Sequence, residues 1–199
     1  MELAPVVLEG AVVRLEPLSL DHAEALSDVG LDKSLWALTS IWVTSPAEMR
    51  GYVEQALAEQ RAGTALPFAT VERATGRVIG STRFGNYVPA HKRIEIGWTW
   101  IAPPWQRTAV NTEAKLLMLT HAFETLGCKR VELKTSAKNA RSRAAMLRIG
   151  ATEEGTLRQH MINPDGSSRD SVYFSIVDGE WPAVKRRLEG MLRTTGTAD

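Results

Sequence analysis

Residues 11 to 18, AVVRLEPL, alternate apolar and polar side chains and end at Pro17, the pattern of a half-buried strand at a sheet edge. Asp21 is placed to cap a helix that follows. A second helix is predicted after Ser45, with Pro46 early and Glu48 three residues on, a capping box. Met49, Tyr52, Val53, Ala56 and Leu57 then form one helical stripe. Between the two helices LWALTSIW lacks clear periodicity and holds Trp36 and Trp42, aromatics that suit either buried staples or the wall of a substrate pocket.

Leu66 to Val71, a turn at Ala74 to Arg77 and Val78 to Phe84 read as an antiparallel hairpin, and a third strand follows at Arg93 to Ile101. The period then changes from 2 to 3.6: Leu116, Leu119, Phe123 and Leu126 make a stripe that Ala114, Leu117, Met118 and Ala122 widen, and Gly127 closes the helix. Arg130 to Thr135 alternate as a strand, Asn139 to Ile149 form a helix closed by Gly150, two strands flank the turn Asn163 to Ser167, and Trp181, Val184, Leu188 and Met191 mark a last amphipathic helix. This order implies an α/β (α+β) fold, a mixed and mostly antiparallel sheet of about seven strands flanked by helices. Residues 1–192 are expected to form one domain and residues 193–199, RTTGTAD, a disordered tail.

Composition narrows the function classes. Of the 199 residues 44% are hydrophobic and 24% charged, the proportions of a packed globular protein. Lys and Arg number 24 against 23 Asp and Glu, so no overall field exists to hold DNA or an anionic bilayer. Cys128 is the one cysteine, which excludes an internal disulfide and suits a reducing cytoplasm. MELAPVVLEG lacks a basic segment followed by a long apolar core, and no run approaches the roughly 18 apolar residues of a membrane span, so neither signal peptide nor anchor is expected. His22, His91, His121 and His160 have no ligand spacing, so no metal site is expected and structural roles suit them better. GxSxG, GKS, GKT and GxGxxG are all absent, which removes the main support for hydrolase, nucleoside triphosphatase and dinucleotide oxidoreductase readings.

The most informative stretch is residues 95 to 127: a strand, a proline-bearing loop, and a long helix opening at Thr108 to Thr112. The first N–H groups of a helix lack internal partners and carry partial positive charge, so a pyrophosphate is bound there by both effects. Most strand-to-helix loops bind nothing, and Thr108 or Asn111 also serves as a plain cap.

WQRTAVNTEAK at 105 to 115, HAFETLG at 121 to 127, RVELKT at 130 to 135, NARSRAAMLRIGA at 139 to 151 and EGTLR at 154 to 158 resemble, in that order, the GNAT acetyltransferases, within them the branch of ribosomal-protein alanine and serine N-acetyltransferases (RimJ/RimL-like). The resemblance covers residues 10 to 190 and implies the GNAT fold, acetyl-CoA as cosubstrate, and transfer of its acetyl group to a primary amine, either a protein N-terminal α-amine or a small-molecule amine. By it, Gln106, Arg107, Thr108, Ala109, Val110, Asn111 and Thr112 form the loop whose amides hold the CoA pyrophosphate, with Ala109 and Asn111 standing where the family usually has glycines. Ala109 gives up the freedom to adopt positive φ that glycine offers. Asn139 would meet the pantetheine arm, or else merely cap its helix. Of Lys138, Arg141, Arg143 and Arg148, at most one or two would meet the 3′-phosphate, Arg143 among them.

The same resemblance places an acid, usually a tyrosine, where this chain has Met146. Ser142, one turn beyond Asn139, is the replacement proton donor in reach of the sulfur, or else a solvated helix serine. Glu95 takes the position of the family's general base, or else pairs with Arg93 or Lys92 in solvent. Strand alternation puts Arg93, Glu95 and Gly97 on one face and Ile94, Ile96 and Trp98 on the other. Backbone N–H groups near Trp98 to Trp100 would stabilise the tetrahedral intermediate, and Trp36, Trp42 and Trp98 are the candidate walls of the acceptor pocket. The amine must be neutral to attack: at pH 7.5 an α-amine of pKa about 7.8 is roughly one-third neutral, a lysine only about 0.1%. A homodimer is common in this branch. A non-catalytic acyl-CoA-binding or regulatory module, suggested by Met146 and the altered glycine positions, is the alternative. An RNA-associated adaptor is disfavoured by the near-zero net charge.

Overall fold

Strand β1 (Leu8–Glu9) pairs with β2 (Val13–Pro17), and the chain continues through β3 (Leu66–Glu72), β4 (Val78–Val88), β5 (Arg93–Ile101), β6 (Arg130–Ser136), β7 (Thr152–Ile162) and β8 (Ser168–Val177). The structure, a computed structural model, describes residues 3–195. These strands form one sheet in the order β1-β2-β3-β4-β5-β6-β8-β7, antiparallel at every junction except the parallel β5–β6 pair. The sheet thus has eight strands rather than about seven. The additional one is two residues long, too short to show an alternation in sequence. The strand read from residue 11 is β2 and begins at Val13; Ala11 and Val12 lie in the turn between β1 and β2, where their amides donate to the Glu113 carboxylate.

Helices cover both faces. On one lie α1 (His22–Gly30), α2 (Lys33–Trp36) and α3 (Pro46–Arg61), which bury Leu26, Trp36, Met49, Tyr52 and Val53 against Ala69 and Trp100. On the other lie α4 (Ala109–Thr120), α5 (Ala140–Ile149) and α6 (Trp181–Thr195), whose Val110, Met118, Ile149, Val184 and Leu188 pack on Phe84, Ile94, Val131, Leu133 and Phe174. The two apolar faces of the sheet account for the three helical stripes read from the sequence, that of α3 on one face and those of α4 and α6 on the other.

Local chemistry sets the helix ends. Ser45 Oγ accepts from the Glu48 amide at 3.3 Å, as a capping box requires, while the Glu48 carboxylate reaches the amide of Thr44 at 2.7 Å, one residue earlier than the usual reciprocal bond. Asp21 does not cap α1: its backbone is already helical (φ −65°, ψ −22°) and its side chain makes no capping bond. Helix α2 ends on the first two residues of LWALTSIW, Leu35 and Trp36, and its four residues are too few to display a 3.6-residue repeat. The long helix ends at Thr120 in α form and continues as a π-helical turn over His121–Thr125. Residues 193–195, expected to be disordered, continue α6, and 196–199 lie outside the described residues. Among the described residues no helix is long and apolar enough to cross a membrane.

Candidate functional site

β5 and β6 pair only at Arg93, Ile94 and Glu95 with Arg130, Val131 and Glu132. Beyond Glu95 they diverge, and a cleft of about 650 Å³ opens between them, running from the first turns of α4 and α5 through the sheet to the side bearing α2. The divergence has a local cause. The β4–β5 register shifts between Ser81↔Trp100 and Arg83↔Gly97, which leaves Trp98 and Thr99 outside the ladder, and Trp98 takes a left-handed backbone (φ +50°). This is a bulge, and it bends the strand away from β6.

The bulge also reverses one expectation. Strict alternation places Trp98 with Ile94 and Ile96, but the turned backbone returns its indole to the Glu95 face. There it lies over Gly85, the register partner of Glu95, where a Cβ would meet Trp98 Cζ3 at 2.5 Å. A left-handed tryptophan costs on the order of 1–3 kcal/mol. It is held by the Tyr52 hydroxyl, which donates to the Trp98 carbonyl at 3.4 Å, and by the Arg83 guanidinium, which sits 5.0 Å from the indole and 5.1 Å from the Tyr52 ring. Arg83 is fully buried and paired with Glu59 at 2.8 Å.

Glu95 does not pair with Arg93 or Lys92 in solvent. Arg93 is engaged with Glu132 at 2.9 Å, and Glu95 is buried at the throat of the cleft. Its Oε2 accepts from Asn86 Nδ2 at 2.8 Å and lies 3.5 Å from Lys134 Nζ. Among the described residues no hydrogen bond reaches Oε1, which lies beside Gly97, where a Cβ would stand 2.9 Å from it. One carboxylate oxygen is therefore fixed and the other is open to accept a proton.

The far side of the cleft gathers the start of α4 with Arg107, Arg141 and Arg148. Thr108 Oγ1 accepts from the Val110 amide at 3.3 Å and donates to the Trp105 carbonyl at 2.8 Å, fixing the start of α4. Gln106 donates to the Ile101 carbonyl and accepts from Arg141, both at 2.8 Å, and so ties the loop to β5 and to α5. The left-handed position in this loop is Arg107 (φ +62°); Ala109 is the first residue of α4 and has no need of glycine's freedom. Thr108, Asn111, Thr112, Arg107 and Gln106 face the cleft, whereas Ala109 and Val110 can offer only backbone, the Val110 side chain being in the core. Arg141 and Arg148 also line it, and Arg148 donates to Thr112 Oγ1 at 3.1 Å. Arg143 does not line it: it reaches out to Glu153 at 3.2 Å.

On α5, Asn139 Oδ1 accepts from the Ser142 amide at 3.0 Å, so its side chain caps the helix. The Ser142 hydroxyl makes no hydrogen bond among the described residues, and Ser142 and Met146 both face the cleft. Trp36 combines the two roles open to it: its Nε1 donates to the Gly30 carbonyl at 2.7 Å within the core, and part of it lines the cleft. Trp42 is exposed and lines a side recess of about 280 Å³ together with Tyr52, Arg83 and Trp98. Among the described residues no group of three His, Cys, Asp or Glu is placed to hold a metal.

Four residues lining or supporting the cleft were not identified from the sequence: Asn86, Lys134 and Arg169 on three separate strands, and Lys115 on α4. Lys115 carried a readable signal, a lysine within an apolar helix stripe. It is buried, hydrogen-bonded to Thr99 Oγ1 at 3.0 Å, and has no carboxylate partner among the described residues. Burial pushes its ammonium down from the ordinary 10.5 to about 8. The unfolded chain keeps that proton up to about 10.5, so between these values it binds more protons than the folded chain, and stability rises with pH. Lys115→Met is therefore expected to be more stable at pH 7 by on the order of 3 kcal/mol, an advantage that fades toward pH 10. Urea denaturation of both proteins from pH 7 to 10 measures it, and a pH-independent difference refutes it.

Residues 13–152 match the family described as acetyltransferase (GNAT) domain. YdaF of Bacillus subtilis (strain 168), named provisionally as a ribosomal N-acetyltransferase, is 34% identical over 110 residues, which are 55% of this chain and 59% of YdaF. The chain thus spans less than two thirds of that relative's length. A GCN5-related N-acetyltransferase from Brucella melitensis superposes with a TM-score of 0.88 at 32% identity, over 96% of this chain and 87% of that one. RimJ of Mycobacterium smegmatis, solved in complex with CoA-disulfide, superposes with a TM-score of 0.77 at 27% identity, over 94% of this chain and 93% of that one.

Proposed function

This chain belongs to the GNAT acetyltransferase domain family, and from that premise we propose that it transfers an acetyl group from acetyl-CoA to a primary amine by direct attack. The observation that carries the reading is the β5–β6 divergence, with an anion-binding helix start on one side and the buried Glu95 on the other. The cleft fits CoA: the start of α4, Arg107, Arg141, Arg148 and Lys115 together suit its phosphates, and Arg141 and Arg148 replace Arg143 in that role. Acetyl-CoA supplies the activated acyl carbon.

Glu95 takes the amine proton on Oε1, directly or through one water, while Asn86 and Lys134 hold the carboxylate in place. As the nitrogen bonds to the acyl carbon the C–S bond breaks. The amides freed from the ladder at the Trp98 bulge are the donors nearest the developing oxyanion, and Ser142 or solvent protonates the sulfur. Cys128 is no alternative nucleophile, since burial pushes its thiol up to about 11 and it does not line the cleft. The same reading takes the protein as a cytoplasmic homodimer, supported by a free cysteine and by the family resemblance.

Thiol release from acetyl-CoA across N-terminal peptides, lysine peptides, polyamines and free amino acids tests the reading. Acceptor-dependent release supports it, and release with none of them, alongside intact CoA binding, refutes it. Ser142→Ala is expected to lower kcat less than about fivefold, because a thiol with a pKa near the ~8.5 of cysteine can leave as thiolate. A loss above a hundredfold would instead make the serine an obligatory acid.

A further inference from the structure

The acceptor side of the cleft holds one more positive charge than negative, and one of its cations, Arg169, has no ion-pair partner among the described residues. On β8, Val172, Phe174 and Ile176 point into the core under α4 and α6, so Arg169 lies on the opposite face, the one that also bears Glu95 and Lys134. Arg169 lines the cleft and, as a residue, is only 9% exposed. Nε has no hydrogen-bond partner, and among the described residues no carboxylate lies within ion-pair distance of it. Glu95 is close enough for its charge to act on Arg169, but Glu95 Oε2 is already taken by Lys134 and Asn86. Two cations and one anion therefore share this wall. A buried guanidinium without an anion is costly, and its planar fork of donors matches a carboxylate better than any other ligand.

Resting on the acetyl-transfer reading, we propose that the acceptor amine carries a carboxylate close to it, and that Arg169 receives this carboxylate while Glu95 faces the amine. The two groups set an acceptor of fixed polarity across the cleft, anion toward β8 and amine toward β5. Two sources supply this chemistry: the carboxylate of a free amino acid, or an acidic side chain beside the N-terminus of a peptide. Arg169 is then a specificity-determining residue, a donor of two parallel hydrogen bonds. An amide in place of the acid leaves the guanidinium unpaired.

The test compares matched acceptors in the presence of acetyl-CoA: free amino acids against their amides, and peptides with Asp or Glu at the second position against Asn or Gln. In the wild type the acid of at least one class is expected to exceed its amide at least tenfold in kcat/KM. Arg169→Gln brings that ratio to near one, and Arg169→Lys restores part of it. The class that shows the preference identifies the source. Acid and amide used equally by the wild type, or an unchanged ratio in Arg169→Gln, overturns the proposal while acetyl transfer stands. Calorimetric titration of N-acetylglutamate, N-acetylalanine and N-acetyl-Ala-Asp, each against its amide, into CoA-saturated protein separates the two readings. Arg169-dependent binding of an acid without any turnover keeps the carboxylate site and discards acetyl transfer, and the absence of both binding and turnover discards the site.

Discussion

Glu95→Gln is expected to lower kcat/KM about a hundredfold at pH 7 while leaving CoA affinity nearly unchanged, with a fall in thermal midpoint because Lys134 and Arg169 lose the carboxylate that faces them. The size follows from general-base catalysis, worth about 10² to 10⁴ in rate, taken at its lower end because an α-amine near neutral pH already presents a substantial neutral fraction. The substitution keeps the shape of the site and removes its charge. Gln keeps an oxygen to accept from Asn86, now 2.8 Å from Oε2, and it keeps the volume beside Gly97, but it cannot take a proton on the other arm. The defect should also shrink as pH rises past the acceptor's own pKa, because the neutral amine then arrives without help. A loss independent of pH would point to Glu95 as a binding group for the ammonium form. No loss at all would remove Glu95 from the chemistry and leave only the cofactor half of the site.

How far the sequence reaches is clearest on β5. Its bounds, Arg93 to Ile101, follow from alternation, and so does the placement of Glu95. The direction of Trp98 does not, because a bulge is a property of two strands in register and β4 is needed to create it. The loop before α4 shows the same limit. Glycine spacing directs attention to Ala109, yet the left-handed residue is Arg107, a position fixed by how Gln106 bonds to both Ile101 and Arg141. Asn139 and Ser142 were legible because helix caps and i, i+3 neighbours are local. Asn86, Lys134 and Arg169 were not, since only the sheet order β4-β5-β6-β8 brings their strands to one wall.

The same distance-spanning logic yields the largest stability effect, at Glu113. This buried carboxylate in the second turn of α4 accepts three backbone N–H bonds from the turn between β1 and β2 and from the first residue of β2: Ala11 at 2.9 Å, Val12 at 2.6 Å and Val13 at 2.7 Å. Hydrogen bonds to a charged group are worth about 1.5–3 kcal/mol each. Glu113→Ala is therefore expected to cost about 4 kcal/mol, less than the full sum because two of the three amides are only part-buried and can turn to water. Against a typical total of about 5–15 kcal/mol that is a large share, and it corresponds to a fall of about 10 °C in the thermal midpoint. Glu113→Gln should lose about half as much, one carbonyl oxygen replacing two carboxylate oxygens. Gly10→Ala should behave like a partial Glu113 mutant, since a Cβ at residue 10 would occupy the space of the Glu113 carboxyl. Guanidinium unfolding of the three variants measures the series, and a loss below 1 kcal/mol in Glu113→Ala would show that the three amides find other partners. The consequence extends to the cleft. Glu113 stands one turn beyond the residues that open α4, so the bond that closes the sheet's first edge also fixes the helix start against which an anion would rest.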